Sequence, residues 1–382
     1  MKKIVMALAV VLLSCVLAGS FATANTLKIG AILSVTGPTA FLGVPEVNTL
    51  KMLVESINAQ GGINGQQVEL IVKDSAGQQE KAVSYAKQLI EEDQVFAILG
   101  PTRTGSTMAI KNLCETSETL LISCASSRSI VDPVASFVFK TPQDDSLAVQ
   151  KIMEDMQRSN ISKIAVAVGG TGFGKMGKMF AEKMAPDFGI TIVASEVYDP
   201  NVTDLSSLVA KWKADPAIQA VINWSIVPAQ TILAKNMRQA EWDVPLYLSH
   251  GFGNIKYVEV GGKALEGVIF PAGRLLVADS LDDSHPQKKV LVDYKNDYEA
   301  KFGEPVSTFG GHAYDALMIL KQALETVGEA DKMKVRDTIE NMTFVGTGGV
   351  FTFSPTDHSG LNIDAFEMMT VKDGAFAPYV RN

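Results

Sequence analysis

Residues 27–35 read LKIGAILSV, residues 44–60 read VPEVNTLKMLVESINAQ, and residues 68–73 read VELIVK. The first and third segments are short, apolar and rich in β-branched residues, which is typical of buried strands. The segment between them has the length and apolar spacing of an amphipathic helix. A strand, a helix and a second strand in this order predict a right-handed βαβ unit in a parallel sheet.

The same alternation continues through most of the chain. The pattern predicts further helices at residues 79–92, 106–116, 144–158, 173–188, 206–214 and 228–240. It predicts further strands at residues 95–99, 120–123, 163–168, 191–197, 217–224 and 244–249. Because Thr141-Pro142 separates two complete series, we predict an α/β fold of two doubly wound parallel-sheet lobes.

The last third of the chain departs from this alternation. Long helices are predicted at residues 287–302, 309–327 and 333–341, followed by short strand signals at 349–353 and 365–371. A segment that returns to both lobes makes each lobe discontinuous, with a three-strand hinge near residues 141, 271 and 357. We predict an N-terminal lobe of residues 25–141 with 271–357, and a C-terminal lobe of residues 142–270 with 358–382.

Residues 1–24 have the pattern of a secretion signal. Lys2 and Lys3 precede an apolar run at residues 4–17, and small residues end the segment at Ala24. The run is shorter than a membrane-spanning helix, so we predict cleavage after Ala24 and a periplasmic protein. An alternative is a lipid tether at Cys15, because the residues before it loosely resemble a lipoprotein processing site.

Composition restricts the partners of the protein. The 382 residues include 34 Lys and Arg against 42 Asp and Glu, which gives a formal net charge of −8. An acidic surface argues against nucleic acid and anionic membranes as partners.

Only Cys114 and Cys124 follow the predicted cleavage site, and we expect both to be buried and unpaired. We expect a monomer.

The stretch GGTGFGK at residues 169–175 follows a predicted strand and opens a helix, which invites a nucleotide-binding interpretation. The phosphate-loop pattern fails at Met176, where a hydroxyl residue would hold magnesium. Gly172, Gly174 and Gly177 also have the spacing of a dinucleotide fingerprint, with Glu196 placed for a ribose contact. We prefer a glycine-rich turn and keep a nucleotide-dependent enzyme using residues 172–177 as an alternative.

No other catalytic or metal-binding pattern is present in the sequence. The histidines lack metal-ligand spacing; they are His250, His285, His312 and His358. Neither a nucleophile elbow nor a paired Cys and His occurs. We therefore expect a binding protein without cofactor or metal rather than an enzyme.

Polar residues follow two consecutive predicted strands, with TRTGST at residues 102–107 and ASS at residues 125–127. The carboxyl ends of parallel strands meet at one edge of the sheet, where ligands bind. Backbone N–H groups at a helix start, with hydroxyls beside them, can hold a carboxylate without a full opposing charge. Either cluster alone could be an ordinary helix cap or turn, but together they indicate a carboxylate site.

Several stretches together resemble the leucine/isoleucine/valine-type periplasmic binding proteins of ABC transporters. They are LKIG at 27–30, TGP at 36–38, INAQGGING at 57–65, ASS at 125–127, FG at 173–174, GFGN at 251–254 and residues 309–317. The resemblance covers nearly the whole mature chain. It implies a type I periplasmic binding fold that captures a small carboxylate ligand and delivers it to ABC permease subunits. A ligand-sensing subunit with the same fold is an alternative.

The resemblance also assigns roles to residues by their position. The resemblance implies that Thr104, Ala125 and Ser127 bind the carboxylate of the ligand, with Ser126 beside them. It also implies that Phe173 covers the ligand from the second lobe. The resemblance places Trp224 or Ile226 at another second-lobe contact and Phe309 on the first-lobe side. Phe41 and Leu42, in the first loop, can complete the apolar wall.

His250 is the main departure from the family pattern. Members that bind amino acids place an acid there to pair with the ammonium group of the ligand, and an imidazole cannot replace that charge. Either Glu46 or Asp199 takes this role, or the ligand has no ammonium group. With Trp224 and Phe173 nearby, His250 suits an aromatic or aliphatic carboxylic acid, unless it is only a polar residue near the hinge.

Overall fold

A computed structural model describes residues 26–381 of the chain. The predicted signal peptide at residues 1–24 and the alternative lipid site at Cys15 lie outside the described residues. Within residues 26–381, no helix has the length and apolarity that a membrane crossing requires.

The first sheet is five-stranded and parallel within the described residues. Its strands are β1 (Leu27–Leu33), β2 (Val68–Asp74), β3 (Ala97–Leu99), β4 (Leu120–Ser123) and β5 (Val138–Lys140), in the order β2-β1-β3-β4-β5. The helices that connect them are α1 (Ala40–Ala59), α2 (Gln79–Lys87) and α3 (Thr104–Thr116). Each helix returns the chain so that the next strand runs parallel to the last, as the βαβ pattern predicts.

The second series follows the same rule. Its helices are α4 (Asp145–Arg158), α5 (Gly172–Met184), α6 (Ser206–Lys213), α7 (Gln230–Gln239) and α8 (Ile255–Gly261). Its parallel strands are β6 (Lys163–Gly169), β7 (Thr191–Tyr198), β8 (Ala220–Trp224), β9 (Leu246–Leu248) and β10 (Ile269–Ala272).

The last part of the chain adds to both halves. Its elements are α9 (Lys288–Phe302), α10 (Thr308–Val327), α11 (Lys332–Ile339), β11 (Thr343–Val345), β12 (Val350–Thr352), β13 (Glu367–Lys372) and β14 (Ala375–Pro378). In the part of the chain that the structure describes, the second sheet is seven-stranded, in the order β14-β13-β10-β9-β8-β6-β7. Its β13 and β14 are antiparallel. The two sheets are therefore mainly parallel, which confirms the predicted α/β fold, and the tight turn at Asp373-Gly374 joins the two antiparallel strands at one edge.

Two large hydrophobic cores accompany the two sheets. One packs the first sheet against α1 and α10, with residues such as Ile29, Leu50 and Leu320 fully buried. The other surrounds the second sheet and also includes Leu42 and Phe309, which come from α1 and α10. The two halves of the molecule therefore touch through apolar side chains as well as through the connecting chain.

The chain segment after β5 is tied to later parts of the sequence. The Thr141 hydroxyl donates to the carbonyl of His312 at 2.8 Å, and the Gln143 side-chain amide donates to the carbonyl of Gly348 at 2.7 Å. The backbone N–H of Lys140 donates to the carbonyl of His358 at 3.3 Å. The bond between Lys140 and His358 joins the segments near residues 141 and 357, where the sequence predicts chain crossings. The exact lobe boundaries and the three-strand hinge stay a proposal.

Both cysteines of the described chain are buried and unpaired, as predicted. Burial raises the pKa of the Cys114 thiol to about 12 and holds the pKa of Cys124 well above its ordinary value. Both thiols therefore stay protonated and pack as small apolar groups.

Candidate functional site

The two polar clusters predicted from the sequence lie side by side at the carboxyl ends of β3 and β4. They form one wall of a narrow cavity. The wall that belongs with the first sheet includes Leu42, Thr102, Thr104, Ala125, Ser126, Phe309 and His312. The opposite wall is formed by Phe173, Ile226, His250 and Gly251. The cavity therefore lies between the two halves of the molecule.

The start of α3 provides the polar part of the wall. Thr104 is the first residue of the helix and is buried. Arg103 occupies the N-cap position before it, and its side chain accepts no hydrogen bond from the N–H groups of the helix. The first backbone N–H groups of a helix have no partner within it, so an uncapped start can bind an anion. The N–H of Ala125 donates to the Ser123 hydroxyl at 3.1 Å, so it can offer a ligand only a shared hydrogen bond.

Phe173 is the centre of the apolar wall. Its ring stacks on that of Trp224 at a centroid distance of 5.3 Å and meets the ring of His250 edge-on at 5.4 Å. Trp224 is buried behind Phe173 and supports it rather than lining the cavity. Ile226 lines the cavity beside them.

Besides Trp224, two more predicted site residues lie outside the lining of the cavity. The Ser127 hydroxyl shares a hydrogen bond of 3.0 Å with Ser129, and Phe41 contacts Tyr257 edge-on at 5.8 Å. Local chain geometry explains both positions, because neighbouring residues in a turn or at a helix start point in different directions. Their assignment to the ligand stays a prediction.

His250 and His312 bring two buried imidazoles to the cavity. Within residues 26–381, both ring nitrogens of His250 and the Nδ1 of His312 have no hydrogen-bond partner. Burial lowers the pKa of each histidine to about 3, and the Lys140 charge acts in the same direction. Both imidazoles are therefore neutral at ordinary pH and can exchange hydrogen bonds with a ligand.

The role of His312 is absent from the sequence-based prediction. A single histidine inside a helical segment carries no motif, and only its spacing of three residues from Phe309 hints at a shared helix face. In the structure, the two rings are 6.0 Å apart and both line the cavity. Thr102 also lines the cavity. The sequence predicts ligand contact for the cluster at residues 102–107 but does not single out Thr102.

Neither acid proposed as a substitute for the family carboxylate lines the cavity. Glu46 is fully buried behind Thr102, whose hydroxyl donates to it, and burial raises the pKa of Glu46 well above its ordinary value. Asp199 is exposed and accepts the backbone N–H of Asn201 at 2.7 Å. The lining therefore contains neutral imidazoles and hydroxyls but no acidic side chain. Within the described chain, no group of three or more His, Cys, Asp or Glu is placed to hold a metal ion.

A family model described as periplasmic binding protein matches residues 26–375, which is most of the chain. The chain belongs to this periplasmic binding protein family. Its sequence is also similar to those of Leu/Ile/Val-binding proteins, the group that the sequence motifs resemble. Membership confirms a solute-binding protein and excludes the nucleotide-dependent enzyme.

Known proteins similar to the chain support this assignment. A leucine-, isoleucine-, valine-, threonine- and alanine-binding protein of Pseudomonas aeruginosa is 27% identical over 325 residues, which cover 84% of both chains. An extracellular ligand-binding receptor from Rhodopseudomonas palustris is 23% identical with a TM-score of 0.87, covering 93% of this chain and 100% of that one.

A third similar protein is a solute-binding protein of an ABC transporter from Rhodopseudomonas palustris, solved with 3,4-dihydroxybenzoic acid. It is 18% identical, with a TM-score of 0.79, and the match covers 93% of this chain and 98% of that one. The two solved structures establish the type I periplasmic binding fold.

Proposed function

We propose that this periplasmic binding protein captures a small carboxylic acid that has no ammonium group, either aromatic or branched aliphatic, and presents it to an ABC permease. One observation carries the proposal. The interlobe cavity joins an uncapped helix start to an apolar wall with two neutral imidazoles, and its lining contains no acid.

The carboxylate is expected at the start of α3. Thr104 offers its hydroxyl and backbone N–H there, at the positive end of the helix dipole. Ser126 and the amide of Ala125 lie on the same wall. Hydrogen bonds to a charged acceptor contribute more than neutral ones, so these groups suffice to orient an acid.

The remainder of the ligand is expected against Phe173, Ile226 and Phe309. An ammonium group in this cavity would lose its water without gaining a counter-charge, which is unfavourable. The unpartnered nitrogens of His250 and His312 could instead bond a hydroxyl of an aromatic acid. The relative solved with 3,4-dihydroxybenzoic acid gives a precedent for such a ligand in this fold, while the Pseudomonas aeruginosa relative is named for amino acids.

Matched ligand pairs test the proposal directly. Leucine and 4-methylpentanoate differ only in the α-ammonium group, as do phenylalanine and 3-phenylpropionate. We expect the ammonium-free member of at least one pair to bind about tenfold or more tightly than the amino acid in calorimetry. Tighter binding of the amino acid in both pairs would show that the proposal is wrong.

Two variants then locate the site in the same experiment. Phe173→Ala removes the ring that covers the ligand, and Thr104→Ala removes the hydroxyl at the helix start. We expect each variant to lower the affinity for the tightest-binding acid by about fivefold to a hundredfold. Phe188→Ala, a partly buried phenylalanine remote from the cavity, is the control and should keep the affinity. Unchanged affinity in both site variants would place the ligand elsewhere.

A further inference from the structure

A second chamber of the interlobe cleft adjoins the cavity, and we call it the outer chamber. It has a volume of ≈ 200 Å³ and shares Thr104, Phe173 and Ile226 with the cavity. Its additional lining includes Arg103 and Ser106 from one side and Lys175 from the other. A ligand that fills the cavity can therefore extend into the outer chamber without leaving the cleft.

The outer chamber carries positive charge without a compensating acid. Arg103 and Lys175 line it, and no Asp or Glu does. Among residues 26–381, neither cation forms an ion pair, and Arg103 donates only from Nη1 to the carbonyl of Gly77 at 3.1 Å. A half-buried guanidinium with most of its donors unused is unfavourable unless an anion joins it.

Two helix starts add to this charge. Helix α3 begins at Thr104 without a side-chain cap, so the N–H groups of Gly105 and Ser106 have no partner within the helix. Helix α5 begins at Gly172, and a Cβ placed on Gly172 would lie 3.5 Å from the backbone nitrogen of Gly105. The positive ends of two helices from opposite lobes therefore meet at the same space.

Ser106 provides an independent sign of a ligand. Its side chain is 1% exposed and its hydroxyl has no hydrogen-bond partner in the described structure, yet the residue lines the outer chamber. A buried hydroxyl without a partner costs free energy, and an anion beside it would accept a hydrogen bond from it.

We propose that the outer chamber is a second anion subsite and that the ligand is a small dicarboxylic acid. This inference rests on the proposed function: one carboxylate lies at Thr104 in the cavity, and the second lies between Arg103 and Lys175. Since Arg103 and Lys175 belong to opposite lobes, the second carboxylate also bridges the lobes and favours the closed form.

Matched monoacids and diacids test this subsite with protein purified from the periplasm. The pairs are hexanoate with adipate, octanoate with suberate, and benzoate with terephthalate. We expect at least one diacid to bind about tenfold or more tightly than its monoacid in calorimetry, because it gains charge-assisted hydrogen bonds. Lys175→Met should remove this preference and leave the monoacid affinity within about twofold.

Lys178→Met is the matched control on the same helix. Lys178 pairs with Glu182 at 3.3 Å and does not line the outer chamber, so this variant should keep the preference for the diacid. Lys175 is exposed, and its replacement should leave the melting temperature of the unliganded protein unchanged.

The outcomes separate the two proposals. If monoacids bind but no diacid binds more tightly, the second subsite is wrong and the proposed function stands. The second subsite is also wrong if Lys175→Met weakens the binding of monoacids and diacids equally. It is wrong as well if the variant lowers uptake through the permease without changing the affinity for either kind of acid. If neither kind of acid binds, the proposed function itself is wrong.

Discussion

His250 is a buried histidine at the position where amino-acid-binding relatives are expected to carry an acid. Burial, followed by repulsion from His312 and Lys140, lowers the pKa of His250 to about 3. The folded protein therefore keeps this imidazole neutral, whereas the unfolded chain protonates it near its ordinary pKa of about 6.5. Below that pH the unfolded state binds the additional proton, so acid lowers the stability of the folded state.

The variant His250→Gln should weaken this pH dependence. Between about pH 7 and about pH 5, we expect wild-type protein to lose about 2 kcal/mol more of its free energy of unfolding than the variant. Urea unfolding at the two pH values measures the difference. His285→Gln is the comparison: partial burial lowers the pKa of His285 as well, but less than that of His250, so this variant should weaken the pH dependence less. An unaltered pH dependence in His250→Gln would contradict a neutral, buried imidazole.

At the scale of elements, close packing of β6 against α5 explains the glycine-rich turn between them. A Cβ on Gly174 would lie 1.9 Å from the carbonyl oxygen of Gly169, and a Cβ on Gly177 would lie 2.3 Å from Cδ1 of Trp224. The Thr171 hydroxyl accepts a hydrogen bond of 3.1 Å from the N–H of Gly174 and so caps the start of α5. The spacing that resembles a dinucleotide fingerprint therefore reflects strand and helix packing.

Gly177→Ala should disturb the site through this packing. The added methyl group pushes Trp224, which supports Phe173, so we expect a loss of about 1–3 kcal/mol in stability and weaker ligand binding. Urea unfolding and calorimetry measure the two effects. Gly172→Ala is the matched control for stability, because its Cβ would meet no atom closer than 3.5 Å. Equal stability of the two variants would show that this contact is unimportant.

At the scale of the whole molecule, a buried ion pair lies where the chain leaves the first sheet. Lys140 Nζ is 2.6 Å from Asp144 Oδ1 and donates to the carbonyl of Pro142 at 2.7 Å. Arg128 reaches the other oxygen of Asp144 at 3.2 Å from a side chain that is 47% exposed. The pair fixes the segment between the two sheets, and both of its residues are almost fully buried.

Lys140→Met should destabilise the protein strongly. It leaves the buried Asp144 carboxylate with the exposed Arg128 as its charged partner and with a hydrogen bond of 3.4 Å from the Ser359 hydroxyl. Removing the buried partner of such a charge costs about 3–5 kcal/mol. Arg128→Met is the comparison and should cost about 1 kcal/mol or less, because solvent screens an exposed pair. Urea unfolding of both variants measures the loss in free energy of unfolding. Similar losses in the two variants would contradict a larger contribution from the buried pair.

The sequence alone determines the alternation of strands and helices and the family. Long apolar segments with strand or helix periodicity identify β1, α1 and β2, because burial requires those periods. The placement of Thr104 and Ala125 at one sheet edge also follows from the parallel topology. The short strands β5 and β10 are not predicted, because the alternation of strands with long helices is interrupted there. Within the part of the chain that the structure describes, no α-helix separates β4 from β5, and α8, which precedes β10, has only seven residues.

Only the tertiary structure decides which side chains share the cavity. Ser127 lies one residue beyond the lining and Trp224 lies behind Phe173, although the sequence predicts both at the ligand. His312 joins His250 there, and Arg103 faces the same chamber as Lys175. These pairs are distant in sequence and come from different lobes. Their meeting depends on how two separately packed cores fit together, which no local pattern of residues encodes.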